Sequence, residues 1–178
     1  NQMLHRLAEP LNEFVAAGKL VLGVCNGLQV LLKSGLLPWG RADAAAARDV
    51  TLTWNDNGRF VDRWVPLAVG SDTCVFLPAG ERLELPIAHG EGKFVTADDA
   101  VLDRLTSAEQ VAVRYDGDNP NGSVDDIAGI CDPTGRVFAL MPHPERFVEV
   151  TQHPAWTRGG VKRADGLVVF RRAAEYLA

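Results

Sequence analysis

KLVLGVCNGLQVLLKSGLL, residues 19–37, changes period in its middle, and that change decides the fold. KLVLGV is a short apolar run bounded by glycine, the pattern of a strand covered on both faces. From Asn26 or Gly27 onward the apolar residues recur at helical spacing, so NGLQVLLKSGLL reads as a helix. A helix also precedes the strand: Met3, Leu4, Leu7, Leu11, Phe14 and Val15 fall at steps of three and four and the pattern stops near Gly18. Helix, buried strand, sharp turn and helix together are the signature of a parallel α/β sheet.

Outward from this unit the chain becomes rich in strands. DVTLTW, VDRWVPLAV, TCVFL and LELPIAHG are β-patterned runs separated by turn residues such as NDNGR. A short helix is predicted within ADDAVLDRLTSA, capped by Asp98 or Thr96. QVAVRY, IAGICD and RVFALMP read as three further strands, the last two joined in a hairpin by DPTG. ADGLVVFRRAAEYLA closes the chain as a helix with Leu167, Phe170, Ala174 and Leu177 along one side. There is no internal repeat or linker, so residues 1–178 read as one domain.

With 178 residues, 47% of them hydrophobic, the chain is long enough for one sizeable core. A formal net charge of -5 without a Lys/Arg cluster argues against nucleic acid or an anionic membrane surface as partner. No apolar stretch approaches the ~20 residues of a membrane span, and a cytoplasmic location is the expectation. Cys25, Cys74 and Cys131 are widely spaced and form no CxxC pair, so neither a disulfide framework nor a metal site is indicated. Cys74 and Cys131 lie in apolar runs read as strands and are expected to be core thiols. His5 and His153 have no evident partner and are expected at the surface.

GVCNG, residues 23–27, places a cysteine between glycines where a strand turns into a helix. Such an elbow presents its central side chain at the rim of the sheet, and the glycines relieve the crowding of the turn. The amides opening the following helix favour a thiolate at Cys25 and offer a donor to an oxyanion, with Asn26 the next residue. A thiol needs a base, and a base needs an orienting group. MPHPER supplies both, since His143 and Glu145 stand at i and i+2 after the strand RVFAL and would project to one side in extended backbone.

GVCNGLQVLLKSGLLP, PIAHGEGKFV, NPNGSVDDIAGI and LMPHPERFVE together resemble the glutaminase part of phosphoribosylformylglycinamidine synthase, a class I, triad-type glutamine amidotransferase of purine biosynthesis. The resemblance runs from about Gly18 to the C-terminal helix. It implies a flavodoxin-like α/β fold with a mixed sheet flanked by helices, Cys25 as nucleophile, His143 as base and acid, and Glu145 as the orienting carboxylate. Gln29 and His89 match positions near substrate glutamine. The resemblance also implies an ATP-using synthase subunit or domain as partner, with ATP and magnesium bound there. This chain has neither a GxxxxGK[ST] loop nor a GxGxxG turn. Members of the family carry a first strand, a helix and a glycine-rich oxyanion segment before the helix that opens this sequence. The expectation is therefore an N-terminally incomplete domain in which Asn26 is the oxyanion donor present. Two functional readings follow: an ammonia-supplying glutaminase, or a catalytically silent chain that keeps the fold and a partner surface.

Overall fold

A computed structural model describes residues 2–42 and 48–178, with side chains from Ala8 onward; His5 and the inner positions Met3, Leu4 and Leu7 lie outside the described side chains. The first helix, α1 (Gln2–Ala16), ends two residues before Gly18, which takes a left-handed φ of 75°. Val15 is buried beneath it, whereas Phe14, read as part of the inner face, is 47% exposed. Strand β1 (Val21–Val24) and helix α2 (Asn26–Lys33) form where the change of period places them. Their junction needs Gly23: a Cβ there would stand 2.8 Å from Leu31 Cδ1 and 3.0 Å from Ala139 Cβ. Gly27 is different, because a Cβ there would meet open space, so only one glycine of the pair relieves crowding.

The chain continues through β2 (Val50–Thr53), β3 (Val61–Val69), β4 (Arg82–His89), β5 (Lys93–Thr96), α3 (Asp99–Ser107), β6 (Val111–Tyr115), β7 (Ile127–Cys131), β8 (Val137–Leu140) and α4 (Gly166–Leu177). Six strands form one curled sheet in the order β1-β8-β7-β6-β3-β4, and β2 pairs with β5 in a separate two-stranded sheet. Among the described residues only β1 and β8 are parallel neighbours; the other ladders of the large sheet are antiparallel, which makes the sheet mixed. Following the pairings, β1, β8, β6 and β4 all run the same way, so their C-terminal ends share one rim. The sheet curls far enough that the β4 edge is not left open, since the Glu84 amide donates to Asp165 Oδ2 at 2.8 Å and Pro86 O accepts from the His143 amide at 2.8 Å.

Two apolar clusters sandwich the sheet. One joins Leu67, Leu85, Phe138 and Phe147 to α4 through Val169; the other joins Leu28, Leu32, Phe94 and Leu105 from α2, α3 and the small sheet. Each fully buried side chain of this kind contributes about 1.5–3 kcal/mol. Asp98 caps α3, its Oδ1 accepting from the Val101 amide at 2.9 Å, and DPTG closes the β7–β8 hairpin with Gly135 at a φ of 71°.

Three expectations are corrected. TCVFL is not a strand: Thr73–Leu77 is a loop whose Cys74, Phe76 and Leu77 nonetheless plug the core, and the Val75 amide donates to Gly135 O rather than to a strand. Lys93–Thr96, not among the runs read as strands, is the strand that pairs with β2. The inner stripe of α4 is Gly166, Val169 and Ala173, while Phe170, Ala174 and Leu177 face outward.

Candidate active site

The shared rim collects the chemistry. β1 delivers Cys25, whose amide extends the ladder by donating to Leu140 O at 2.9 Å, and three residues beyond β8 stands His143. β6 ends in Tyr115 and β4 ends in His89. The C-terminal ends of co-directional strands are where α/β sheets place ligands.

Cys25 is half-buried and has φ 51° and ψ -104°, a left-handed backbone for a residue with a side chain. Such strain marks the elbow, because the surrounding structure has to over-determine it. Burial pushes the Cys25 thiol above its ordinary range; the Asn26 backbone hydrogen bond and the Arg146 guanidinium act in the opposite direction, and Glu145 adds to the rise. The thiolate favoured by the helix terminus alone is therefore not the resting state, and the thiol waits for a base.

His143 is buried, and its Nδ1 lies 2.6 Å from Glu145 Oε1. Pro144–Arg146 forms a 3-10 turn, so the carboxylate reaches the ring by a turn rather than across an extended pleat. An ionised carboxylate only accepts, so this contact assigns the proton to Nδ1 and leaves Nε2 as a bare acceptor. That Nε2 is buried with no partner among the described residues. Arg146 Nε stands 3.7 Å from the same Glu145 oxygen.

His89 is 4% exposed, and its Nδ1 lies 3.0 Å from Asn55 Oδ1. Burial, with His143 nearby as the second cause, lowers its pKa to about 4. Since the folded value lies below the ordinary 6.5, protonation favours the unfolded chain, and stability falls as pH drops from about 6.5 to 4. The whole effect amounts to about 3 kcal/mol. Urea unfolding at pH 7 and pH 4.5 should show His89→Gln losing less stability on acidification than the parent; an equal loss in both would exclude His89 as the titrating group.

Gln29 lies one helical turn beyond Cys25, half-buried, and its side chain makes no hydrogen bond among the described residues. The structure thus brings Cys25, Asn26, His143, Glu145 and His89 to one rim and leaves Gln29 beside them without a polar partner. Sequence reading missed Asn55, Asn121 and Tyr115. Asn55 sat in NDNGR, read as a turn, and Asn121 in the Pro- and Gly-rich start of NPNGSVDDIAGI; their side chains are buried and fully used, which turn statistics do not report. His153 is also corrected: it is buried against Trp64 and Phe147, with Nε2 3.3 Å from Glu84 Oε2. Cys74 and Cys131 are buried thiols, as expected.

Residues 1–177 match the CobB/CobQ-like glutamine amidotransferase domain family. Among curated proteins, the chain is similar to phosphoribosylformylglycinamidine synthase subunit PurQ of Dehalococcoides mccartyi, with 44% identity over 99% of this chain and 71% of that protein. The subunit of the same name from Methanococcus maripaludis is 36% identical over 99% of this chain and 72% of its own length. That from a Nostoc species is 49% identical over 75% of this chain and 56% of its own length. Among solved structures, PurLQS from Thermotoga maritima aligns with a TM-score of 0.73 and 34% identity, over 97% of this chain and 68% of that one.

Proposed function

Because the chain belongs to the CobB/CobQ-like glutamine amidotransferase domain family, we propose that it is the glutaminase component of phosphoribosylformylglycinamidine synthase in purine biosynthesis. Similarity to several PurQ subunits across almost the whole chain and to the PurLQS structure supports that reading. The observation that carries the mechanism is the Glu145-bound His143, whose bare, buried Nε2 stands at the rim that also presents Cys25.

In this mechanism His143 Nε2 takes the Sγ proton as Cys25 attacks the side-chain carbonyl carbon of glutamine. The Asn26 amide, the next one after the nucleophile at the start of α2, stabilises the oxyanion of the tetrahedral intermediate. His143 then gives its proton to the departing nitrogen, the C–N bond breaks, and ammonia leaves a γ-glutamyl thioester on Cys25. Water attacks the thioester, yielding its proton to His143, and the C–S bond breaks to release glutamate and restore the thiol. Gln29 and His89 line the glutamine side of this centre.

The acceptor for ammonia is the synthase partner, to which we assign ATP and magnesium, since the sequence carries no phosphate loop of the common kinds. We place the reaction in the cytoplasm. That assignment agrees with three free cysteines, and no described helix is long and apolar enough to cross a membrane. The silent alternative has no observation in its favour at the triad.

A glutamine-mimicking diazo-ketone tests the nucleophile directly. It should label Cys25 in preference to Cys74 and Cys131, which are 2% and 0% exposed. Peptide mapping that put the adduct mainly on either buried thiol would remove Cys25 from this role.

A further inference from the structure

Two side chains at the rim are left with opposite, unspent hydrogen-bonding capacity, and each is fixed by its own asparagine. Asn121 Oδ1 accepts from the Ser123 amide at 3.0 Å and from Ser123 Oγ at 2.7 Å, which orients its amide group. Its Nδ2 therefore donates, to Gly92 O at 2.8 Å and to Tyr115 Oη at 3.2 Å. The phenol oxygen is the acceptor in that contact, so its own proton remains available, and no described residue accepts it. Tyr115 is 3% exposed, and burial foremost, with Cys25 a further cause, raises its pKa, so the proton stays on oxygen.

Asn55 does the converse for His89. Its Nδ2 donates to the carbonyls of Arg59 and His89, both at 2.9 Å, so its Oδ1 is the acceptor from the Gly92 amide at 3.1 Å and from His89 Nδ1 at 3.0 Å. The His89 proton is thereby placed on Nδ1, and Nε2 presents a lone pair, buried and with no partner among the described residues. Gly92 links the two arrangements, its carbonyl serving Asn121 and its amide serving Asn55. Only glycine fits there, since a Cβ would come within 2.3 Å of the His89 ring.

From this geometry we infer that Tyr115 and His89 read the side-chain carboxamide of glutamine, Tyr115 Oη donating to its oxygen and His89 Nε2 accepting from its N–H. The inference rests on the glutaminase reading above and adds to it a specificity-determining pair. One donor and one acceptor match a primary carboxamide, which offers one acceptor oxygen and an NH2 donor. A carboxylate has no hydrogen to give, so glutamate would set an oxygen against the His89 lone pair. A site built to accept a substrate N–H rejects the analogue lacking it strongly, because a buried acceptor is left unpaired. The pair thus favours substrate over product in the same chamber.

Steady-state glutaminase kinetics and competitive inhibition by glutamate, measured on the full chain together with its synthase partner, test this assignment. Tyr115→Phe should lower kcat/KM for glutamine about 10- to 100-fold. His89→Leu should raise KM for glutamine and tighten glutamate inhibition, shrinking the glutamine-to-glutamate preference by at least about 10-fold. His89→Gln, whose amide oxygen can stand where Nε2 stands, should restore most of that preference. Tyr115→Phe removes one atom and decides the matter by itself if His89→Leu does not fold. A glutamine-to-glutamate preference and kcat/KM unchanged in Tyr115→Phe overturn the pair while leaving the glutaminase reading intact. Absence of glutamine hydrolysis by the parent, or its persistence in Cys25→Ala, overturns the glutaminase reading itself.

Discussion

Cys25→Ala is expected to abolish glutamine-dependent synthesis, by about 10⁴-fold or more, while synthesis from added ammonium salts persists at near the parent rate. The expected separation follows from where the chemistry lies. Cys25 forms the only covalent bond to substrate in the proposed mechanism, so without its sulfur there is no thioester and no acyl transfer for His143 to assist. In the proposed division of labour the acceptor chemistry belongs to the partner and requires ammonia, whatever its source. The substitution should also be benign to the fold. Cys25 is half-buried and its side chain caps nothing, although the residue holds a φ of 51°, so alanine keeps the same backbone strain without adding to it. The measurement is a paired assay of the complex with glutamine and with ammonium chloride. Loss of both activities in a protein that still folds and assembles would show that the division of labour is wrong.

Where a chemical role forced an unusual local pattern, the sequence displayed it. The elbow announces itself because a strand can turn into a helix at such close quarters only with glycine at position 23, and because the period of the apolar residues changes there. HPER is legible for the same reason, with histidine and glutamate two residues apart after a buried strand. Features that depend on partners distant in sequence were not legible. TCVFL has the composition of a strand, but composition reports burial and not the direction of the backbone hydrogen bonds; Val75 finds its acceptor in the β7–β8 turn. KFVT is four residues long and follows two glycines, so its pairing with β2 rests on contacts 44 positions away at Thr51↔Val95 and its neighbours, beyond the reach of any local pattern. Helix α4 carries apolar residues on more than one side, and the turn that bears His143 and Glu145 selects the stripe through Val169. His153 looks solvent-facing because histidine usually is, yet two aromatic rings enclose it. Asn55 and Asn121 share that history: both look like turn residues, and both hold a second side chain in one orientation.

Glu145→Gln should lower kcat by roughly 10³- to 10⁴-fold with little change in KM and no loss of folding, because it disturbs the tautomer of the base and the charge beside it. Glu145 is tethered to His143 Nδ1 at 2.6 Å, and its side chain is 46% exposed, so an isosteric amide fits the same place without a cavity. As a carboxylate, Glu145 can only accept, which keeps the proton on Nδ1 and leaves the lone pair of the neutral ring on Nε2 before attack. A glutamine side chain can turn its NH2 group toward Nδ1 instead, and that contact stabilises the opposite tautomer, with the proton on Nε2. A ring in that state cannot take the Cys25 proton, and burial already holds this thiol above its ordinary pKa, so little thiolate forms without the base. The imidazolium that appears during attack also loses the charge beside it. Single-turnover acylation isolates this step, since it follows appearance of the thioester before product release. Glutamine binding, measured at equilibrium with the Cys25→Ala background, should be nearly unchanged by the second substitution. An acylation rate within about tenfold of the parent in a folded Glu145→Gln protein would mean that the carboxylate does not set the state of His143.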